Sequence, residues 1–480
     1  MVKDKKTYLC EKCGKSFNQK GHFDNHKNRI KPCKEINNKL IELKVNEKLQ
    51  ELLLKGYITI NNKNLILQLN MSNNNNNNMN KKYTIGETFV GCGGSHFGFK
   101  KSGFDVCFVN DIWKDAIETL KLNDNDIDEN IVFLEDINNL NEQYFTEKNI
   151  IPSEVNLDIL LGGVVCKGFS MAGIRNPFDI RNYLYLEQLK LVQLFKPKIS
   201  IIENVPGMLS MKILRKNQSD EIMSTCQKVT DKCEQFKTER ANLIGLTKKK
   251  ASQELINEKN ILISSIMAER KVLEKSLENN MYSVVDDIIK IYEEDLGYTV
   301  YKEVLMCSDY GCATNRKRLF IVAVRNDINE KKEWTYPEPI TQDNKPTVKD
   351  ALDLLDLNDI NNPNNDPDNV PMKHRPATIE KFKKITCDKK TGTFFSRGSA
   401  SRLDYNKPAP TLVPGHSSFQ LHPTEHRSIT VREGAIITGF PRDFKFCGKH
   451  GDRCMQIGNA IPVHMAFNLA EHCKKFLDSV

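Results

Sequence analysis

The sequence predicts an α/β fold, a Rossmann-like and mostly parallel sheet over residues 82–480, on three observations. Apolar runs of strand length alternate with segments of helical period, the alternation that builds a doubly wound sheet. The first run leads into a turn carrying Gly91, Gly93 and Gly94, and the next ends in an acid, Asp111. Residues 71–81 centre on an asparagine tract, MSNNNNNNMN, which has no apolar face to bury and reads as a linker ahead of this domain.

Length and composition bound the rest. A chain of 480 residues is longer than one core usually organises, so more than one domain is expected. Hydrophobic content of 39% with 28% charged residues is that of a globular chain, and no apolar run approaches the roughly 18 residues needed to cross a bilayer. The first residues, MVKDKKTYLCEKC, lack the apolar core of a signal peptide, so an intracellular protein of nucleus or cytoplasm is expected. The 14 cysteines then read as thiols or metal ligands. Net charge is +8, and residues 1–33 hold nine Lys or Arg against three Asp or Glu, a basic end suited to a polyanion such as nucleic acid.

Within residues 1–36, Cys10, Cys13, His26 and Cys33 follow the spacing C-x2-C-x12-H-x6-C. A zinc site takes two ligands from a hairpin knuckle and two from a following helix, and a dozen residues provide that reach. Phe17 and Phe23 supply a small core between the ligand pairs. The pattern resembles a C2H2-type ββα zinc finger with Cys33 in place of the last His; a redox CxxC would need neither His26 nor Cys33. Residues 37–70 read as a small connecting module of one amphipathic helix and a hairpin.

Residues 83–123 then give strand, glycine turn, helix, and a second strand at 106–110 ending at Asp111. Glycines at such a turn let backbone amides approach a cofactor, and an acid after the second strand accepts from ribose hydroxyls. A third strand, 131–134, ends at Glu135 and Asp136, where a carboxylate can meet an adenine edge. The fourth, in DILLGGVVCKGFSM, ends in a Gly-Gly turn with Cys166 just beyond it. Ligands bind outside the carboxyl ends of strands in open α/β sheets, so Cys166 is a candidate nucleophile, or otherwise a small buried thiol. A helix over 183–194 and a strand at 198–202 bring Glu203 and Asn204 to the same edge; Glu203 is either a capping acid or a site acid of raised pKa.

Seven segments in order now resemble the cytosine-5 methyltransferase family: ETFVGCGG, VVCKGFSMAG, ENVPG, DYGCATNRKRLFIVAVR, KPAPTL, HPTEHRSITVREGAIITGFPRDF and QIGNAIPVHMA. The resemblance covers residues 83–480 apart from one insertion. It implies a methyltransferase domain binding S-adenosylmethionine through Phe89, Gly91, Cys92, Gly93, Gly94, Asp111, Ile112, Asp136, Ile137, Asn459 and Ala460. It also implies that Cys166 adds to C6 of a flipped cytosine, that Glu203 serves N3, and that Arg316 and Arg318 hold the ring oxygen and the loop. The chain departs from the family at Val164 and Val165, where prolines usually stand, at Lys167 in place of Gln or Asn, at Thr314 in place of Gln, and at Asp111 in place of Glu. Lys167 either lowers the Cys166 pKa or faces solvent.

Between residues 215 and 281 the chain leaves the family pattern for a charged, proline-free stretch, which predicts two antiparallel helices turning near Gly245 and acting as a clamp or a solvated spacer. Residues 326–418 hold the place of a small target-recognition region, with His374 and Arg375 as candidate phosphate contacts, and 456–466 is the closing motif returning to the catalytic domain. Double-stranded DNA is the expected partner; Ser170, where the family's tRNA branch usually has Thr, leans away from tRNA. A catalytically inactive nucleic-acid-binding scaffold is the remaining alternative.

Overall fold

Strands covered on both faces must be apolar on both faces, and the runs ILLG and ISIIEN are. A computed structural model describes residues 8–9, 16–17, 82–164, 179–214, 218–248, 251–355, 366–387, 401–412 and 419–480. The chain divides into two units, residues 1–81 and 82–480. In the first, β1 (Tyr8–Leu9) pairs antiparallel with β2 (Ser16–Phe17), with Tyr8 opposite Phe17. Cys10, Cys13, His26 and Cys33, the connecting module and the asparagine linker lie outside the described residues.

The second unit is built on a seven-stranded sheet. Its strands are β3 (Thr84–Thr88), β4 (Asp105–Asp111), β5 (Val132–Leu134), β6 (Ile159–Gly162), β7 (Ile199–Asn204), β10 (Tyr298–Met306) and β11 (Lys317–Arg325), in the order β10-β11-β7-β6-β3-β4-β5. The five from β3 to β7 run parallel, and β11 and β10 are antiparallel additions at one edge. From β3 the chain winds outward through β4 and β5, then returns to β6 on the other side. The order therefore reverses between β3 and β6, and the crevice beyond their carboxyl ends is where such sheets bind ligands.

Alternate residues along the strands feed two cores. Leu160, Ile202, Leu319 and Ile321 face one side, under Leu189, Val192 and Phe195 of α3 (Tyr185–Phe195) and Val284, Val285 and Ile288 of α6 (Val284–Lys290). Ile159, Leu161, Ile201, Phe320 and Val322 face the other, with Phe99 of α1 (Gly94–Lys101) and Met465, Leu469, Cys473 and Phe476 of α7 (Val463–Asp478). Each fully buried Leu, Ile or Phe contributes about 1.5–3 kcal/mol. α6 runs into a wide helical turn, Ile291–Leu296, that buries Tyr292 with its hydroxyl 2.7 Å from Ser200 Oγ.

α7 brings the end of the chain back beside the glycine turn. A Cβ at Gly98 would stand 2.5 Å from Ala466 Cβ, and one at Gly94 would stand 2.2 Å from the Ile461 carbonyl. Only glycine lets α1 and α7 meet this closely.

Residues 212–283 contain β8 (Lys212–Leu214) paired antiparallel with β9 (Met281–Ser283), and between them α4 (Asp220–Lys248) and α5 (Gln253–Ser276). The last two pack through Val229, Cys233 and Ile266 and through the ion pairs Lys232–Glu269 and Lys259–Glu239. Gly245 lies inside α4, so the chain does not turn there. No proline or capping signal opposes the helix at that point, and a single glycine costs only about 1 kcal/mol.

Candidate active site

The first half of the site is the turn after β3. Gly91 and Gly93 have φ of +56° and +92°, conformations that L side chains rarely adopt, and nothing lies within 4 Å of where a Cβ at Gly91 would stand. Phe89 also has positive φ, +52°. The turn is fixed from below by Asp111 at the end of β4, whose carboxylate accepts from the Gly91 amide and the Trp113 amide, each at 2.8 Å. Burial pushes the Asp111 pKa up, and these backbone bonds pull against it. Ile112, the next residue, is 68% exposed. Asp136 is half-buried and caps the following turn, accepting from the Asn138 amide at 2.9 Å. Asn110 donates to the carbonyls of Phe133 and Glu135 at 3.1 and 2.8 Å and so ties the ends of β4 and β5 together. That residue was not singled out in the sequence, although a polar residue closing an apolar strand is the signal that marks it.

A cradle of open backbone at Gly91, a carboxylate beside it and an exposed aliphatic face at Ile112 fit a nucleoside with a polar tail. S-adenosylmethionine has that shape. Two of the expected cofactor side chains point elsewhere. Cys92 is 1% exposed, its Sγ is 3.7 Å from the Gln456 carbonyl, and burial lifts its pKa to about 12, so only its backbone is available to the crevice. Ile137 is buried in the core; its apolar side chain belongs to the sheet face. Asn459 is exposed and Ala460 half-buried at the end of the helix His450–Asn459, adjacent in sequence to the Ile461 carbonyl that meets Gly94.

The second half lies at the ends of β6, β7 and β11. Glu203 is the penultimate residue of β7, and because β11 is antiparallel to β7, Arg316, just before β11, and Arg318, its second residue, come to the same edge. Arg318 Nε sits 2.7 Å from Glu203 Oε1, and Arg318 Nη1 donates to the Lys317 carbonyl at 2.8 Å. Glu203 Oε2 is turned toward Gly163, where a Cβ would stand 3.7 Å from it and 3.4 Å from the Phe89 carbonyl. Gly163 is thus the point at which the glycine turn and Glu203 approach each other. Burial raises the Glu203 pKa, and Arg318 and Arg316 offset that only in part. Arg316, 1% exposed, donates from Nη1 to the Gly458 carbonyl at 2.7 Å, which attaches the closing motif to β11.

Cys166, with Val165 and Lys167, lies outside the described residues, as does Ser170. The residues that lead to it are described: Val164 is buried in the main core, and Asn204 Nδ2 donates to its carbonyl at 3.0 Å. A valine where the family has proline is therefore accommodated as a core residue. Thr314 is fully buried, pairs with Ala409 and contacts the Pro410 carbonyl at 3.3 Å, joining the arginine segment to KPAPTL. His374 is not a free phosphate contact. Its Nε2 is 3.1 Å from Ser428 Oγ, its ring meets Phe382 edge-on, and burial lowers its pKa. Asp366 and Asp368, at the end of the Asn- and Asp-rich stretch, are bound by Arg432 and Arg453 at 2.6 and 2.9 Å. Among the described residues no group of three or more His, Cys, Asp or Glu is placed to hold a metal, and no helix is long and apolar enough to cross a membrane.

A parallel sheet with a glycine cradle at its switch point and a buried acid paired to arginine beside it defines a Rossmann-like methyltransferase class of domain. The chain matches the family described as C-5 cytosine-specific DNA methylase over residues 83–247 and 273–475, and it belongs to that family. It is 28% identical over 413 residues to the type II methyltransferase M.Sau96I of Staphylococcus aureus, covering 83% of this chain and 77% of that one. It is 24% identical over 447 residues to M.DdeI of Desulfomicrobium norvegicum, covering 82% and 89%. A prophage-encoded DNA modification methyltransferase structure from E. coli superimposes with a TM-score of 0.53 at 22% identity, over 83% of this chain and all of that one, and shares the fold. The activity is S-adenosylmethionine-dependent methylation of cytosine C5 in DNA.

Proposed function

We propose that Cys166 is the nucleophile of this reaction, that Glu203 is its acid, and that Arg318 and Arg316 hold the acid and the surrounding segments. The observation that carries the reading is the pair of buried groups Glu203 and Arg318, 2.7 Å apart, at the carboxyl edge where the Cys166 segment begins. Cytosine C5 is too weakly nucleophilic to attack a methyl donor directly. The Cys166 thiolate therefore adds to C6 of a flipped base, forming a C–S bond and moving the ring electrons toward N3. Glu203, whose pKa burial raises, delivers a proton to N3, leaving an enamine that is nucleophilic at C5. S-adenosylmethionine, held at the Gly91 turn with Asp111 and Ile112, supplies an electrophilic methyl group when bound. Once C5 carries the methyl group, solvent water takes the C5 proton, the C–H electron pair re-forms the C5–C6 double bond, the C6–S bond breaks with its electrons leaving on the Cys166 sulfur, and N3 gives its proton back to Glu203.

Incubating the chain with methyl-labelled S-adenosylmethionine and either duplex DNA or total tRNA tests the substrate. Label is expected in DNA cytosine; label in tRNA alone would favour the RNA alternative, and label in neither the scaffold alternative. We also assign residues 1–36 as a zinc finger, residues 71–81 as a linker and 82–480 as the catalytic domain. What supports the finger is the spacing of Cys10, Cys13, His26 and Cys33 and the basic charge around it. One zinc per chain is expected by atomic emission, and none in Cys10→Ser; a chain folded and metal-free at its N-terminus would contradict the finger. Such a finger covers about three base pairs and adds affinity for nucleic acid, which fits a protein acting inside the cell.

A further inference from the structure

His96 stands on the first turn of α1 and is completely buried between two carboxylates from different elements. Its Nε2 lies 2.7 Å from Asp124 Oδ2, just beyond α2 (Lys114–Asn123), and its Nδ1 lies 3.3 Å from Glu87 Oε1 on β3. Lys100, one turn further along α1 and partly exposed, holds the other oxygen of Asp124. Neither carboxylate oxygen of Glu87 nor His96 Nδ1 has a hydrogen-bond partner among the described residues, so the two meet as an ion-pair contact at 3.3 Å, and Glu87 is wholly buried. These four are the charged groups that face one another across β3, α1 and the end of α2. With both carboxylates ionised, two acids and two bases balance when His96 is an imidazolium. A neutral imidazole would leave the Glu87 carboxylate as a buried charge without a counter-ion, an arrangement that proteins avoid.

Residues 88–93, the cofactor turn, run between Glu87 and α1, so the Glu87–His96 contact closes the loop that the turn makes. The pairing was not visible in the sequence because nothing in GETFVGCGGSHF says which way the His and Glu side chains point. We propose that His96, held as a cation between Glu87 and Asp124, is a positioning residue that keeps the Gly91–Gly94 turn in its binding shape, so that cofactor affinity falls as the pH rises through its titration. This rests on the reading of that turn as the S-adenosylmethionine site. Burial alone would lower the imidazole pKa, but the carboxylates of Asp124 and Glu87 on either side more than reverse it, and the net direction is upward. Asp124 is correspondingly held at about 2 by His96 and Lys100 against the opposing effect of burial. With the folded-state value raised above the ordinary one of about 6.5, the stabilisation of the turn is complete below that ordinary value and is lost as pH rises through the raised one.

Calorimetric titration of the full chain with S-adenosylhomocysteine from pH 6 to pH 9.5 tests the proposal; the arithmetic limit for one required proton is about a tenfold rise in Kd per pH unit beyond the titration. The wild-type Kd is expected to rise along that limb. His96→Gln is expected to bind weakly and without the limb, and Glu87→Gln/His96→Gln, which removes the uncompensated carboxylate, to recover the acid-side affinity without pH dependence. Because a single variant can fail to fold, the protonation of His96 is also read directly from the imidazole carbon and nitrogen shifts of the wild type. A neutral His96 at pH 7, or a pH limb retained in His96→Gln, would overturn the proposal alone. A wild-type chain that binds no S-adenosylhomocysteine at any pH would instead overturn the assignment of the turn as the cofactor site.

Discussion

Cys166→Ser is expected to lower the rate of methyl transfer by about 10⁴-fold or more while leaving cofactor binding within a factor of about two, because in the proposed mechanism the thiolate is a covalent participant with no substitute. A serine hydroxyl is too weak an acid to be ionised at neutral pH without a dedicated base, and on the proposed mechanism Glu203 is occupied with N3. The Gly91–Gly94 turn, the proposed cofactor site, is anchored by Asp111 through the amides of Gly91 and Trp113. Single-turnover kinetics on duplex DNA, with S-adenosylhomocysteine affinity measured in parallel, separates the two effects. A loss of cofactor affinity equal to the loss of rate would mean that the substitution had disturbed the cradle and not the chemistry.

Glu203→Gln is expected to cost about 10²–10³-fold in rate, the usual scale for removing one group that stabilises developing charge. The amide keeps the size of the carboxyl and can still face N3, but it cannot deliver a proton. The pH profile adds a second readout. Burial raises the Glu203 pKa, so the wild-type acid holds its proton to higher pH than a free glutamic acid does. The wild-type rate should therefore fall as pH rises through that value, and the variant should lack this limb. Arg318 lies 2.7 Å from the same carboxyl and works in the opposite direction, so Arg318→Gln should move the limb to higher pH.

The sheet was legible because its strands are continuous apolar runs that end in glycine or acid, and those endings mark the carboxyl edge. The site was legible to the extent that it lies on that edge: Asp111, Glu203 and the glycine turn stand where strand ends put them. What could not be read were partners brought together by crossovers. Arg316 and Gly458 are 142 residues apart, and their 2.7 Å bond depends on how α7 returns to α1. Asn204 reaches Val164 only because β6 and β7 are neighbours in the sheet. Side-chain direction was the other gap. Cys92 sits in the cofactor turn yet faces the core, and His374 lies in a basic stretch yet folds onto Phe382 and Ser428. Lys and Arg density marks a surface, but packing decides which of its members remain free.

The covalent step is the centre of the account, and trapping tests it most directly. A duplex carrying 5-fluorocytosine at the target position has no C5 proton to lose, so addition and methyl transfer proceed and elimination of the thiolate does not. With S-adenosylmethionine present, the full chain is expected to form a denaturant-stable complex with that DNA. Peptide mass spectrometry should place the link on Cys166, and Cys166→Ser should form none. An adduct on another cysteine, or methylation of ordinary DNA with no adduct on the fluorinated duplex, would contradict it.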